Sequence, residues 1–251
     1  MIAALANLSI FELLLIAGMA AVASIIGGVA GYGTGALMPL VLVPIVGPEP
    51  VVPIIAISAL FTNSSRSFAF WHVIDWRRAA IIIACAIPTT MLGAWGYTLL
   101  TGRGAMLVIG TMMALSVPLR RSSKRRGLTL TEGGLASASV LWGFVVGGTS
   151  GAGIILLSLL MAVGLQGAAV IATDAAISVL IGVMKIGVFG IFGAVTAKVV
   201  AVALLIGVVA FPGAFLAKAI VDRLPIHVHT AILDAVVIGG GLLMVIGALV
   251  R

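Results

Sequence analysis

Gly143-Phe144-Val145-Val146-Gly147-Gly148-Thr149-Ser150-Gly151-Ala152-Gly153 interrupts an apolar run that extends from about residue 134 to 163. Gly27-Gly28-Val29-Ala30-Gly31-Tyr32-Gly33-Thr34-Gly35 interrupts another, from about 10 to 46. Each run is longer than the roughly 20 residues that one crossing of a bilayer needs. Glycine at such density weakens a helix and frees backbone N–H groups. Shifting the first run by 120 positions puts Gly27 on Gly147, Gly31 on Gly151 and Gly33 on Gly153.

Working outward, further features line up in the same order. A tight turn follows each run, Gly47-Pro48-Glu49-Pro50 in one half and Gly164-Leu165-Gln166-Gly167 in the other. A long apolar stretch comes next, and then a segment with a small-residue break, at Gly93 and at Pro212-Gly213. The reading is an all-α polytopic membrane protein with glycine-broken helices, built as a tandem duplication. Residues 1–120 form the first repeat, 121–132 a basic linker and 133–251 the second repeat. Eight spans are expected, at about 10–46, 51–71, 79–100, 104–119, 134–163, 167–193, 197–221 and 229–250.

Composition excludes a water-soluble fold. Hydrophobic residues make up 62% of the 251 positions and charged residues only 8%, too few to cover a solvated surface. The net charge of +7 is concentrated, since Arg120, Arg121, Lys124, Arg125 and Arg126 stand in one short stretch. That placement reads as a topology signal rather than as a nucleic-acid surface. Cys85 is the single cysteine, so no disulfide forms within one chain. Ala21-Val22-Ala23 resembles a signal-peptidase site, but no Lys or Arg precedes Arg66, and the first apolar run is expected to be retained.

With eight spans, loop parity puts Arg77, Arg78, the five basic linker residues, Lys198 and Arg251 on one side and Arg103, Lys218 and Arg223 on the other. The positive-inside rule then places both termini and the linker in the cytoplasm. Four spans per half would make the repeats parallel. A re-entrant first segment would change that count, and the sequence leaves parallel and inverted arrangements open.

Paired glycine breaks at matching places in two halves point to a transport site. A half-helix N-terminus there carries partial positive charge and suits an anion. The plainer reading is tight helix packing, which the four-residue spacing of Gly143, Gly147 and Gly151 also fits. Two cations stand within spans, Arg66 and Lys185, at nearly equivalent positions of the two halves. A mid-helix Lys or Arg costs about 2.5–3.5 kcal/mol to insert. Arg66 is surrounded by Thr62, Asn63, Ser64, Ser65 and Ser67, a donor-rich patch for an oxyanion. The candidate substrate-binding set is Arg66, Lys185, Asn63, Ser64, Ser65, Gly31, Gly33, Thr34, Thr149, Ser150, Gly151 and Gly153.

Asp174 lies eleven residues before Lys185, on the same helical face but about 16 Å away. An intramembrane carboxylate relays a proton, binds a cation, or merely neutralises a nearby base. It is the ion-coupling candidate. Asp234 is a weaker one, and Glu12 is expected at the interface. His72, beside Asp75-Trp76-Arg77-Arg78, reads as an interfacial anchor. His227 and His229 lack companion ligands, so no metal is expected. No nucleophile–base motif or P-loop occurs, so neither an enzyme nor a cofactor is expected.

At these residues the chain resembles the sulfite exporter TauE/SafE family, of the four-toluene-sulfonate uptake permease type. The likeness rests on the duplicated Gly-x-x-x-Gly-x-Gly, on Met38-Pro39-Leu40 and Leu156-Leu157 after it, and on Asp75-Trp76-Arg77-Arg78. Two departures stand out: Ile155 occupies the place of Gly35, and Asp174 stands where the family often has a small hydroxyl residue. The resemblance implies a secondary transporter of small sulfur-containing anions, sulfite, thiosulfate or organosulfonates, in the bacterial inner membrane. Proton coupling and homo-oligomer formation are left open as further partners. The alternatives are a passive anion channel and a carrier of non-sulfur organic anions.

Overall fold

The computed structural model describes residues 8–30, 34–126, 129–213, 216 and 226–250. Ten α-helices occur among them, and no strand. They are α1 (Ile10–Ala30), α2 (Thr34–Val46), α3 (Val51–Ala69), α4 (Trp76–Thr98) and α5 (Gly102–Arg126), then α6 (Glu132–Gly148), α7 (Gly153–Ala162), α8 (Ala168–Ile191), α9 (Ala197–Ala210) and α10 (Ile226–Val250). A 3₁₀ turn, Trp71–Val73, joins α3 to α4. Four segments are long and apolar enough to cross a membrane: Ile10–Gly27, Trp76–Thr98, Gly102–Leu119 and Ala168–Ile191. α3 has comparable length, but its last third is the polar stretch around Arg66.

Both long apolar runs divide where the glycines cluster. α1 ends at Ala30 and α2 begins at Thr34, while α6 ends at Gly148 and α7 begins at Gly153. Gly151 adopts φ +84, a conformation that an L side chain resists. Neither run is one continuous helix. α6 extends ~25 Å and α7 only ~15 Å. The Leu130 N–H donates to the Ala162 carbonyl at 2.8 Å, so α7 returns to the level at which α6 starts. In the first half α1 packs on α2. Gly47 and Gly164, the turn glycines after α2 and α7, adopt φ +84 and +89.

Helix directions follow from side-chain contacts. α3 and α8 are antiparallel: Arg66 meets Asp174, and Gly182 faces Leu60 and Ala56. α5 and α10 are antiparallel too, with Arg103 on the Leu249 carbonyl and Gly110 against Gly241 and Met244. α4 and α6 run parallel, since Gly143 faces Ala86 and Gly147 faces Thr90. α9 lies along α1, with Gly213 against Ser24. These pairings are reciprocal. α4 on α6 is matched by α9 on α1, α4 on α8 by α9 on α3, and α2 on α3 by α7 on α8.

One expectation is corrected here: Gly93 does not break its helix. α4 is continuous through it, and a Cβ at Gly93 would lie 2.1 Å from the Phe144 carbonyl oxygen, so the glycine serves close packing. The break expected at Pro212 does occur, because α9 ends at Ala210. Arg103, at the start of α5, touches Leu249 near the end of α10, and the basic stretch lies ~37 Å away at the other end of α5.

Candidate functional site

The two helix breaks meet. A Cβ on Gly35 would lie 3.0 Å from the Gly151 backbone nitrogen, and one on Gly151 would lie 3.3 Å from the Gly35 carbonyl oxygen. Beside this contact is a cavity of about 140 Å³. By the roughly 10–15 Å³ that one water needs, it has room for several waters or one small polyatomic anion. α1 and α2, α6 and α7, and the helices α3 and α8 that cross beneath them all contribute to its wall.

Arg66 and Lys185 both line this cavity, one from each half. Asp174 lines it as well, only 2% exposed. Its Oδ2 is 3.8 Å from Arg66 Nη1, and its Oδ1 has no hydrogen-bond partner among the described residues. Arg66 Nη2 also donates to Asn63 Oδ1, one turn earlier on α3. Sequence spacing puts Asp174 too far from Lys185 to pair and leaves a nearby base open as its partner; that base is Arg66, brought over by the antiparallel crossing of α3 and α8.

Lys185 is 6% exposed and sits where α6 ends. Its Nζ donates to the carbonyls of Val146 (2.6 Å) and Thr149 (2.7 Å). Helix C-termini leave carbonyls without intrahelical donors and carry partial negative charge, so the ammonium both caps the broken helix and balances its end. An ammonium has three donors. Two are used on these carbonyls, and the cation still borders the cavity. Trp142 Nε1 donates to the Ala152 carbonyl at 3.0 Å, pinning the same turn from the other side.

Thr34, Asn63, Thr149, Ser150, Gly151 and Gly153 also line the cavity. The Ser150 hydroxyl is buried, with no partner among the described residues. Thr34 and Gly35 open α2, and Gly153 opens α7, so the first-turn N–H groups of two helices converge here. Ser64 and Ser65 do not line the cavity. Ser65 is fully buried and donates to the Phe211 carbonyl at 3.0 Å, tying α3 to the end of α9. Gly31 and Gly33 lie outside the described residues, as does the Asp234 side chain. The sequence reading passed over Ser24, Trp142 and Ser178, which also border the cavity. Only their one-turn or cross-helix relation to Arg66, Lys185 and the breaks could have marked them.

The start of α4 is fastened separately. Asp75 caps it by accepting from the Arg78 N–H, and its own N–H donates to Thr173 Oγ1 on α8 at 2.9 Å. Arg77 and Glu132 form an exposed ion pair between the starts of α4 and α6, a contact of small energetic weight.

Paired helix breaks around a buried, cation-lined cavity define a polytopic helical membrane protein of transporter build. A family model described as sulfite exporter TauE/SafE matches residues 15–244, and the chain belongs to that family of sulfur-anion transporters. No curated protein and no solved structure matches it.

Proposed function

We propose that this chain is a secondary transporter that carries sulfite, thiosulfate or an organosulfonate through the cavity between its two helix breaks. The convergence of Arg66, Lys185 and the N-terminal ends of α2 and α7 on one cavity carries the reading. Oxyanion oxygens there accept from the Arg66 guanidinium, the Ser150 hydroxyl and first-turn N–H groups. Lys185 supplies charge while holding the α6–α7 turn closed. Asn63 orients Arg66, and Thr34, Thr149, Gly151 and Gly153 shape the wall. Ser64 and Ser65 act through helix packing rather than on the anion. Asp174, beside Arg66 in the same cavity, is the proposed coupling residue, taking a proton only once the anion has left.

The chain is further proposed to be an inverted duplication, residues 1–120 against 133–251. The reciprocal packing and the antiparallel α3/α8 and α5/α10 pairs support this. Each half then contains a returning hairpin and three crossings. With the basic 121–132 linker in the cytoplasm of a bacterial cell, the C-terminus faces the opposite side.

The test is flux of sulfite, thiosulfate and a sulfonate panel into proteoliposomes, with and without an imposed pH gradient. Saturable uptake of one anion, accumulated uphill under the gradient, is the expected result. Downhill flux alone would mark a channel, and uptake of carboxylates only would remove the sulfur class.

A further inference from the structure

We propose that the cavity selects singly charged anions over doubly charged ones and that Asp174 sets this limit. The inference rests on the transport reading above and narrows its substrate class to organosulfonates and hydrogensulfite, because thiosulfate is a dianion.

Among the described residues that line the cavity, the charged ones are Arg66, Lys185 and Asp174. Two cations and one carboxylate give a formal excess of one positive charge. The next ionic groups on α4, Asp75 and Arg78, pair with each other at 2.7 Å and do not border the cavity. In a water-poor interior an uncompensated charge is costly. A monoanion brings the sum to zero. A dianion leaves an excess negative charge beside the Asp174 carboxylate, whose Oδ1 has no hydrogen-bond partner among the described residues to absorb that field. Asp174 is held 3.8 Å from Arg66 and nearly shut off from solvent, so it is a built-in counter-ion that an incoming anion meets. Specificity of this kind comes from repelling the wrong ligand as much as from attracting the right one.

Methanesulfonate and sulfate separate charge from chemistry, since both are tetrahedral sulfur oxyanions and they carry one and two charges. In proteoliposomes of the full chain, methanesulfonate flux is expected to exceed sulfate flux by about tenfold or more. Asp174→Asn raises the formal excess to two and is expected to shift that ratio toward sulfate by about tenfold. Asp174→Glu keeps the charge and should keep the preference. Wild-type flux of sulfate at or above that of methanesulfonate would overturn the inference and leave the transport reading standing. So would a folded Asp174→Asn protein with an unchanged ratio. Should Asp174→Asn fail to fold or carry no flux, competition on the wild type decides: excess sulfate must inhibit methanesulfonate uptake far less than excess ethanesulfonate does, and equal inhibition overturns the proposal. Flux of no sulfur anion at all would overturn the transport reading itself, and this inference with it.

Discussion

Arg66, Asp174 and Lys185 are held by different means, and their replacement should fail in different ways. Lys185 meets two backbone carbonyls at the end of α6. Lys185→Met strips both acceptors of their donor, which costs about 1–3 kcal/mol for a buried group left unsatisfied. Thermal unfolding in detergent should therefore show a lowered midpoint together with lost flux. An unchanged melt would mean that the carbonyls find other donors and that the lysine matters for charge alone. Arg66 and Asp174 depend on each other instead. Arg66→Gln leaves a buried carboxylate without its counter-ion, a loss of about 3–5 kcal/mol. Adding Asp174→Asn should recover much of that stability, although not transport. Both cations were legible in the sequence as costly intramembrane charges. Asn63 was legible beside Arg66, but Asp174 and the Val146 and Thr149 carbonyls were not, because each lies more than 35 positions from the cation it meets.

Glycines divide into two jobs at the scale of the helix. Gly143 and Gly147 let α6 lie on α4, where an added Cβ would come within 2.5 Å of the Ala86 carbonyl oxygen and 2.2 Å of the Thr90 carbonyl oxygen. Small residues at helix contacts matter more in lipid than in water, because apolar burial gives no net drive there. Gly147→Ala should thus force α6 off α4 and cost about 1–3 kcal/mol, read as a melt shift. Gly151 serves the break itself, and Gly151→Ala should cost about 1–2 kcal/mol for the left-handed backbone. Gly153→Ala, with open space around its Cβ, should leave stability within about 0.5 kcal/mol of wild type. Composition and spacing announced both glycine clusters. They could not sort packing glycines from breaking ones, since Gly-x-x-x-Gly spacing is the same in both uses.

For the whole molecule, sidedness is the test. In a Cys85→Ala background, Ser122→Cys in the linker and Val250→Cys at the end of α10 should react with an impermeant thiol reagent from opposite sides of the membrane. Labelling of both from one side would contradict the antiparallel α5/α10 pair. Eight spans with both ends and the linker together was the natural count from hydropathy. Hydropathy registers that a segment is apolar and long. It does not register whether the segment goes through or turns back, because a returning hairpin of α6 and α7 is as apolar as a tilted crossing.

By itself the sequence determined the membrane class, the family, the two glycine-broken runs and the charged residues that the bilayer makes expensive. Each of these is a local or compositional property, set by the cost of placing charge and free backbone in hydrocarbon. Only the tertiary structure decided that the breaks touch at Gly35 and Gly151, that Arg66 faces Asp174, and that Lys185 closes the end of α6. Those contacts depend on the relative direction of helices far apart in the chain. That direction is chosen by how small residues let backbones approach, a pairwise property of two surfaces that neither sequence segment carries alone.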